Sequence, residues 1–230
     1  MSAIRPSFNK AAAHYNAHAF LQDEIALRLS EKLNVISVNP AVMIDLGAGT
    51  GLLSSKLSQK LPHAQLICVD FAQQSLQSNP AQYKVCADAH QLPFADKSTD
   101  FIASNLMIQW CPDLKILFAE CHRVLKPGGL MLFSTFGPDT LKELKRSWSV
   151  VDSEPHVNTF TDMHDIGDQM LQSGFNSPIM EMETLTLTYD KVIDLMRDLK
   201  GIGAQTVRNR SKSLTGKTKF SKMIEMYEAY

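Results

Sequence analysis

The chain has 230 residues, 44% of them apolar, and its 23 basic and 24 acidic residues leave a formal charge of −1. That is enough chain and enough apolar surface for one substantial α/β domain, which excludes general disorder; the near-neutral balance gives no reason to expect nucleic acid. With no signal segment and no apolar run of about 18 residues, a cytoplasmic location is expected and a membrane partner is not. The four cysteines, Cys68, Cys86, Cys111 and Cys121, show no C-x-x-C spacing, as expected of buried thiols in a reducing compartment.

In chain order, residues 9–33 carry an alanine-rich helical pattern with room for one break. The stretch VMIDLGAGTGLL follows. Val42, Met43 and Ile44 open a short buried strand (42–46) that stops being apolar at Asp45, and leucines at helical spacing fill 50–60. Between them Gly47, Gly49 and Gly51 form G-x-G-x-G, glycines that let a backbone come close to a nucleotide-type ligand. The dinucleotide fingerprint needs its third glycine where Leu52 stands, which argues against NAD. Asp45 argues against a pyrophosphate beside it and suits a ligand with an ammonium group. Strand 65–70 ends LICVD at Asp70, and a helix follows at 72–77. Strand 83–87 precedes Asp88 and Ala89, which open a loop reaching 98. Strand 100–106 runs into SNLMIQW, with Asn105 and Gln109, and then a helix at 113–125.

KPGG (126–129) is expected to turn tightly into an apolar strand at 129–136. Beyond it the patterns predict a helix to about Val150, a helix at 163–173, an alternating strand at 179–187, a helix at 189–202 and a last helix at 219–229. Strands separated by helices predict a doubly wound, mostly parallel sheet in a single domain. In it residues 1–33 are N-terminal helices, 40–136 the ligand-binding core and 137–230 the substrate side. Ligands of such sheets lie across the carboxyl ends of the strands, so Asp45, Asp70, Asp88 and Asn105 converge on one crevice with Gln109. There Asp70 is placed to take ribose hydroxyls, Asp88 to accept from an adenine amino group, and Ala89 to leave room for the ring.

Asp-x-Gly-x-Gly-x-Gly, acids at the second and third strand tips and a late LKPGG, in that order, resemble the class I S-adenosylmethionine-dependent methyltransferases. Within that class, FNKAAAHYNAHAFLQ, SNLMIQWCPDL, FTDMHDIGDQMLQSGF and, most specifically, LMRDLKGIGA resemble the malonyl-acyl-carrier-protein O-methyltransferases of biotin synthesis, over about Phe8 to Ile224. The resemblance implies S-adenosyl-L-methionine as cofactor and N-terminal lid helices on which Tyr15 and Gln22 close over its methionine end. It also sets Phe71, beside Asp70, among the cofactor-binding residues. The implied reaction methylates the free carboxylate of a malonyl thioester on acyl carrier protein. Family members continue past the last helix and finish with a strand antiparallel to the fifth. The sequence ends at Tyr230, so that strand is expected to be missing, or 179–187 to dock differently.

A carboxylate, with a pKa near ~4, is already the nucleophile at neutral pH, so no general base is required. A cation must still hold it. Arg197 and Lys200, three apart on one face of helix 189–202, are the candidates and are grouped with Tyr15 as catalytic residues; the forked guanidinium is the better clamp, and a solvated helix face is the plain alternative. Tyr15 could equally be a packing residue and Gln22 a surface one. His14 and His18 have the i, i+4 spacing of a metal pair but no third ligand, and no metal is expected. Trp110 is an acyl-pocket candidate or core filler, and Cys111 beside Pro112 lacks the context of a nucleophile. From Lys200 to Ile224 stand seven basic residues (Lys200, Arg208, Arg210, Lys212, Lys217, Lys219, Lys222) and no acid, which leaves 16 − 24 = −8 for the remainder. That run reads as a solvated segment or as a dock for the acidic carrier protein. Two other functions would use the same generic motifs: methyl transfer to another small acid or quinone-like acceptor, and cofactor binding without catalysis.

Overall fold

The structure, a computed structural model, describes residues 4–207 and 216–229. Two helices come first, α1 (Ile4–Ala11) and α2 (Phe20–Glu31), with a single 3₁₀ turn at Tyr15–Ala17 in the break between them. Strands and helices then alternate: β1 (Val42–Leu46), α3 (Leu52–Lys60), β2 (Gln65–Asp70), α4 (Gln73–Ser78), β3 (Tyr83–Cys86), β4 (Thr99–Asn105), α5 (Leu114–Val124) and β5 (Leu125–Ser134). The remaining helices are α6 (Lys142–Ser149), α7 (Met163–Gln172), α8 (Val192–Gly201) and α9 (Lys217–Glu228). The sheet order is β3-β2-β1-β4-β5, and all four pairings are parallel. The chain winds outward from β1 to β3 and then returns to the other side of β1. The order therefore reverses between β1 and β4, where the strand ends leave a crevice.

Strands covered on both faces need apolar residues on both, and the interior strands β1, β2 and β4 supply them, whereas the edge strand β3 is largely exposed. On one face Ile44, Leu46, Val69 and Ile102 pack with Leu117, Phe118 and Cys121 of α5 and with Ile166 and Met170 of α7. On the other, Met43, Cys68, Phe101 and Ala103 pack with Ala26 of α2 and with Leu53 and Leu57 of α3. A third cluster, Leu144, Trp148, Val192, Leu195 and Met223, joins α6, α8 and α9 beyond the strand ends.

Two expectations are corrected. KPGG does not separate helix from strand: β5 begins at Leu125, and pairing jumps from Thr99 with Leu125 to Phe101 with Leu130, so Lys126–Gly129 bulges out within the strand. Residues 179–187 alternate in sequence but join no sheet. Their acids instead reach α2 and the residue after it, Glu183 pairing with Arg28 and Glu181 with Lys32, while Ile179 and Met182 stay exposed. The segment is therefore held by ion pairs to Arg28 and Lys32 rather than by strand pairing. Among the described residues, β5 has β4 as its only strand neighbour.

Candidate active site

A cavity occupies the crevice. The tips of β1 and β2 contribute Leu46, Gly47, Val69, Asp70 and Phe71, the turn after β3 gives Ala87 and Ala89, and β4 gives Asn105. The N-terminal segment closes it with Tyr15, His18 and Gln22, and α8 with Leu195, Asp198 and Ile202.

The glycine loop is shaped by close approach. Gly47 has φ +80, and a Cβ there would lie 2.2 Å from Cγ of Met107, so only glycine fits. Asp70 holds the loop from below: the Gly49 N–H donates to Oδ2 at 2.9 Å and the Ala72 N–H to Oδ1 at 2.7 Å. Burial pushes the Asp70 carboxyl up, and these backbone donors oppose the shift. Asp45 lies beneath the loop, fully buried and outside the cavity lining. Its Oδ2 accepts from Ser54 at 2.5 Å, and its Oδ1 has no partner among the described residues. Burial pushes its pKa up to about 7, against the Ser54 hydrogen bond and helped by Asp70. Gly51, in the left-handed conformation, starts α3 and does not line the cavity.

Gln22 is buried in the cavity wall, and its Oε1 is also without a partner among the described residues. Asn105 fixes the backbone behind it by donating to the Gln22 carbonyl at 2.9 Å, while Ser134 donates to the Asn105 Oδ1 at 2.7 Å. Gln109 lines the cavity and donates to the Leu106 carbonyl at 2.7 Å. Burial, and then the Asp70 charge, push the Tyr15 phenol well above its ordinary range, so it remains an O–H donor.

Besides Asp45 and Gly51, three further expected residues, Asp88, Arg197 and Lys200, do not line the cavity. Asp88 accepts from its neighbour's backbone, the His90 N–H at 2.9 Å, and sits 2.7 Å from the His90 ring; Ala87 and Ala89 on either side are the wall. Arg197 pairs with Asp194 and is 63% exposed, and Lys200 is exposed too. The cause is helical phase: α8 turns Leu195, Leu199 and Ile202 inward, which carries Asp198 with them and points Arg197 and Lys200 to the opposite face. Residues not anticipated as site residues complete the walls, notably Phe8, Phe136, Phe160, Tyr189 and Asp198. Phe8 stands edge-on to Trp110 at 5.3 Å and to Phe71 at 6.1 Å. His18 joins Asp198, 2.8 Å away, rather than His14; among the described residues no group of three His, Cys, Asp or Glu could hold a metal.

A family model described as a methyltransferase domain matches residues 44–133, from β1 to β5. Among solved structures, the fold is similar to that of a possible histamine N-methyltransferase of Thermotoga maritima: TM-score 0.59, 18% identity, over 76% of this chain and 82% of that one. It is also similar to the YcgJ protein of Bacillus subtilis: TM-score 0.62, 17% identity, over 87% of this chain and 82% of that one. The fold is that of the class I methyltransferases, and the matched segment is a methyltransferase domain.

In sequence the chain is similar to the malonyl-[acyl-carrier protein] O-methyltransferases of Gallionella capsiferriformans (45% identical, over 98% of this chain and 83% of that protein) and Nitrosospira multiformis (42%, over 98% and 81%). A similar protein in Coxiella burnetii, malonyl-[acyl-carrier protein] O-methyltransferase 1, is 43% identical over 99% of this chain and 80% of its own length. The chain belongs to the malonyl-[acyl-carrier protein] O-methyltransferase family.

The cavity fits the family's cofactor. A Cβ built on Gly49 would meet nothing within 4 Å, so there is open space over the loop. The orphaned, buried Gln22 Oε1 is an acceptor in want of a cationic donor.

Proposed function

We propose that this protein methylates the free carboxylate of a malonyl thioester carried on acyl carrier protein, using S-adenosyl-L-methionine, and so makes the malonyl methyl ester that starts the pimeloyl chain of biotin. The observation that carries the reading is 45% identity to a malonyl-[acyl-carrier protein] O-methyltransferase along 98% of the chain. When bound, the cofactor supplies a sulfonium methyl that passes to a carboxylate oxygen, the S–C bond breaking as the O–C bond forms and the two charges cancelling.

The protein has no proton to move in such a transfer; it must align the reactants and keep water out. Charges that vanish on the way to the transition state favour an enclosure of low polarity. Phe8, Trp110, Phe136 and Phe160 supply one. Alignment alone is worth about 7–11 kcal/mol. Gly47, Gly49 and Gly51 shape the loop, and Asp70 takes the ribose diol with Phe71 beside it. Gln22 accepts from the ammonium group, with Asp45 behind the glycine loop, and Tyr15 closes over that end. Asn105 and Gln109 hold the wall. Ala89 leaves room for the adenine, whose amino group Asp88 reaches by leaving His90.

The acidic carrier protein docks on the basic stretch 200–224. Lys200, Lys217, Lys219 and Lys222 are exposed there, while Arg208, Arg210 and Lys212 lie outside the described residues. No described helix is long and apolar enough to cross a membrane, and the four free cysteines support a reducing, cytoplasmic setting. Mass spectrometry of malonyl carrier protein incubated with protein and cofactor tests the reading: the acyl group should gain the mass of one CH₂. An unchanged acyl mass would refute it.

A further inference from the structure

The reaction needs a charged oxygen held in an apolar enclosure, and the two cations expected to hold it lie on the outer face of α8. Resting on the carboxyl-methylation reading above, we propose that His18, oriented by Asp198, is the group that binds the substrate carboxylate.

Among the described residues lining the cavity, His18 is the only side chain able to carry positive charge; the other charged groups there are the carboxylates of Asp70 and Asp198. An unpaired substrate anion beside two acids would be strongly disfavoured. His18 Nδ1 lies 2.8 Å from Asp198 Oδ1, with the two side chains 25% and 26% exposed. With the Nδ1–H given to Asp198, the ring offers an Nε2–H to a carboxylate only as the imidazolium, and Asp198 compensates that charge. Asp198 is therefore a positioning residue. Tyr189, whose phenol is pushed up to about 12 by burial and by Asp198, is a neutral neighbour of that carboxylate.

The ring's place is built into the fold. A Cβ on Gly201 would lie 2.3 Å from Cγ and Cδ2 of His18, so the absence of a side chain at the end of α8 makes room for the imidazole. His18 stands between Tyr15 and Gln22 in sequence and touches α8 in space. It thus sits in the same cavity as Tyr15 and Gln22 and as the apolar Leu187 and Leu195. One carboxylate oxygen held by Nε2–H leaves the other free to attack. The ester formed is neutral and loses the ionic contact, so the same residue that retains substrate lets product go.

The test uses the complex with S-adenosylhomocysteine and two small thioesters, malonyl and acetyl pantetheine, whose affinities are measured by calorimetry. In His18→Ala and His18→Gln, malonyl affinity and kcat/KM should fall by roughly 10- to 100-fold, the loss of a charge-assisted hydrogen bond. Acetyl affinity and S-adenosylhomocysteine affinity should stay within about twofold. Added imidazole should restore malonyl turnover to His18→Ala, and Asp198→Asn should raise KM for malonyl more than it lowers kcat. Undiminished malonyl affinity in both His18 variants, or equal loss of acetyl affinity, overturns the inference. So does a collapse of methylation in Arg197→Ala with His18→Ala intact. A wild-type protein that forms no methyl ester overturns the underlying carboxyl-methylation reading, a result distinct from any of these.

Discussion

Asp45 and Asp70 are two buried carboxylates flanking one glycine turn, and their environments set them different tasks. Asp70 has a backbone donor on each oxygen, whereas Asp45 has Ser54 on one oxygen and nothing described on the other. Because burial raises the folded pKa of Asp45 to about 7, from an unfolded value near ~4, the folded state holds a proton there that the unfolded chain has released. Stability of the ligand-free protein should therefore decline as pH rises from about 4 to 7. Asp45→Asn should flatten that decline in thermal unfolding followed against pH; parallel curves for the two proteins would assign the titration elsewhere. Asp70→Ala removes a charge-assisted acceptor and leaves the Gly49 and Ala72 N–H groups without it, a cost of about 1.5–3 kcal/mol. Affinity for S-adenosylhomocysteine should drop roughly tenfold to a hundredfold. Calorimetry showing wild-type affinity in a folded variant would remove Asp70 from the ribose site.

At the scale of elements, the N-terminal segment is tied to the rest by separate polar contacts, among them His18 with Asp198 at 2.8 Å and the Gln22 carbonyl with Asn105 at 2.9 Å. Thr50 donates to Asn16 at 2.7 Å, Phe8 leans on Phe71 and Trp110, and the buried apolar residues of 9–22 are the small side chains of Ala11, Ala12 and Ala19. Such a segment should open locally and close over ligand. Amide exchange in residues 9–22 should slow markedly on adding S-adenosylhomocysteine, and high protection without ligand would make the segment a fixed wall. The elements also show where the sequence was legible. β1 and β2 fall on 42–46 and 65–70, because an apolar run that stops at an acid marks a strand tip without reference to anything distant. The inward face of α8 was readable too, from Leu195, Leu199 and Ile202. Following that phase would have put Asp198 in the cavity and Arg197 outside it. The His18–Asp198 contact spans 180 positions and leaves no local pattern, so the i, i+4 spacing of His14 and His18 was the only visible signal, and it pointed elsewhere. Residues 179–187 misled for a related reason: their acids are satisfied by ion pairs to Arg28 and Lys32, partners that periodicity cannot name.

On the whole molecule, charge is segregated. Seven basic residues and no acid between Lys200 and Ile224 stand against a remainder of 16 basic and 24 acidic residues. Within α9, Lys219 is engaged by Asp152, whereas Lys217 and Lys222 are exposed. That leaves the latter two as the described cations of the helix best placed to meet an acidic partner. Attraction between opposite surfaces speeds encounter and is screened beyond ~8 Å at physiological salt. Turnover of malonyl carrier protein at low substrate should then fall as salt rises, and reversing Lys217 and Lys222 to glutamate should mimic high salt. The loss should lie in kcat/KM with kcat nearly constant, since the charges act before the acyl group enters the cavity. Malonyl pantetheine, which has the reacting carboxylate but no carrier, should hardly respond to either change. Because α9 also buries Met223 against Trp148 and Leu195, a folding defect would depress both substrates together. Equal losses on both would therefore assign these lysines to the helical layer over the cavity, and the carrier protein would have to dock on another face.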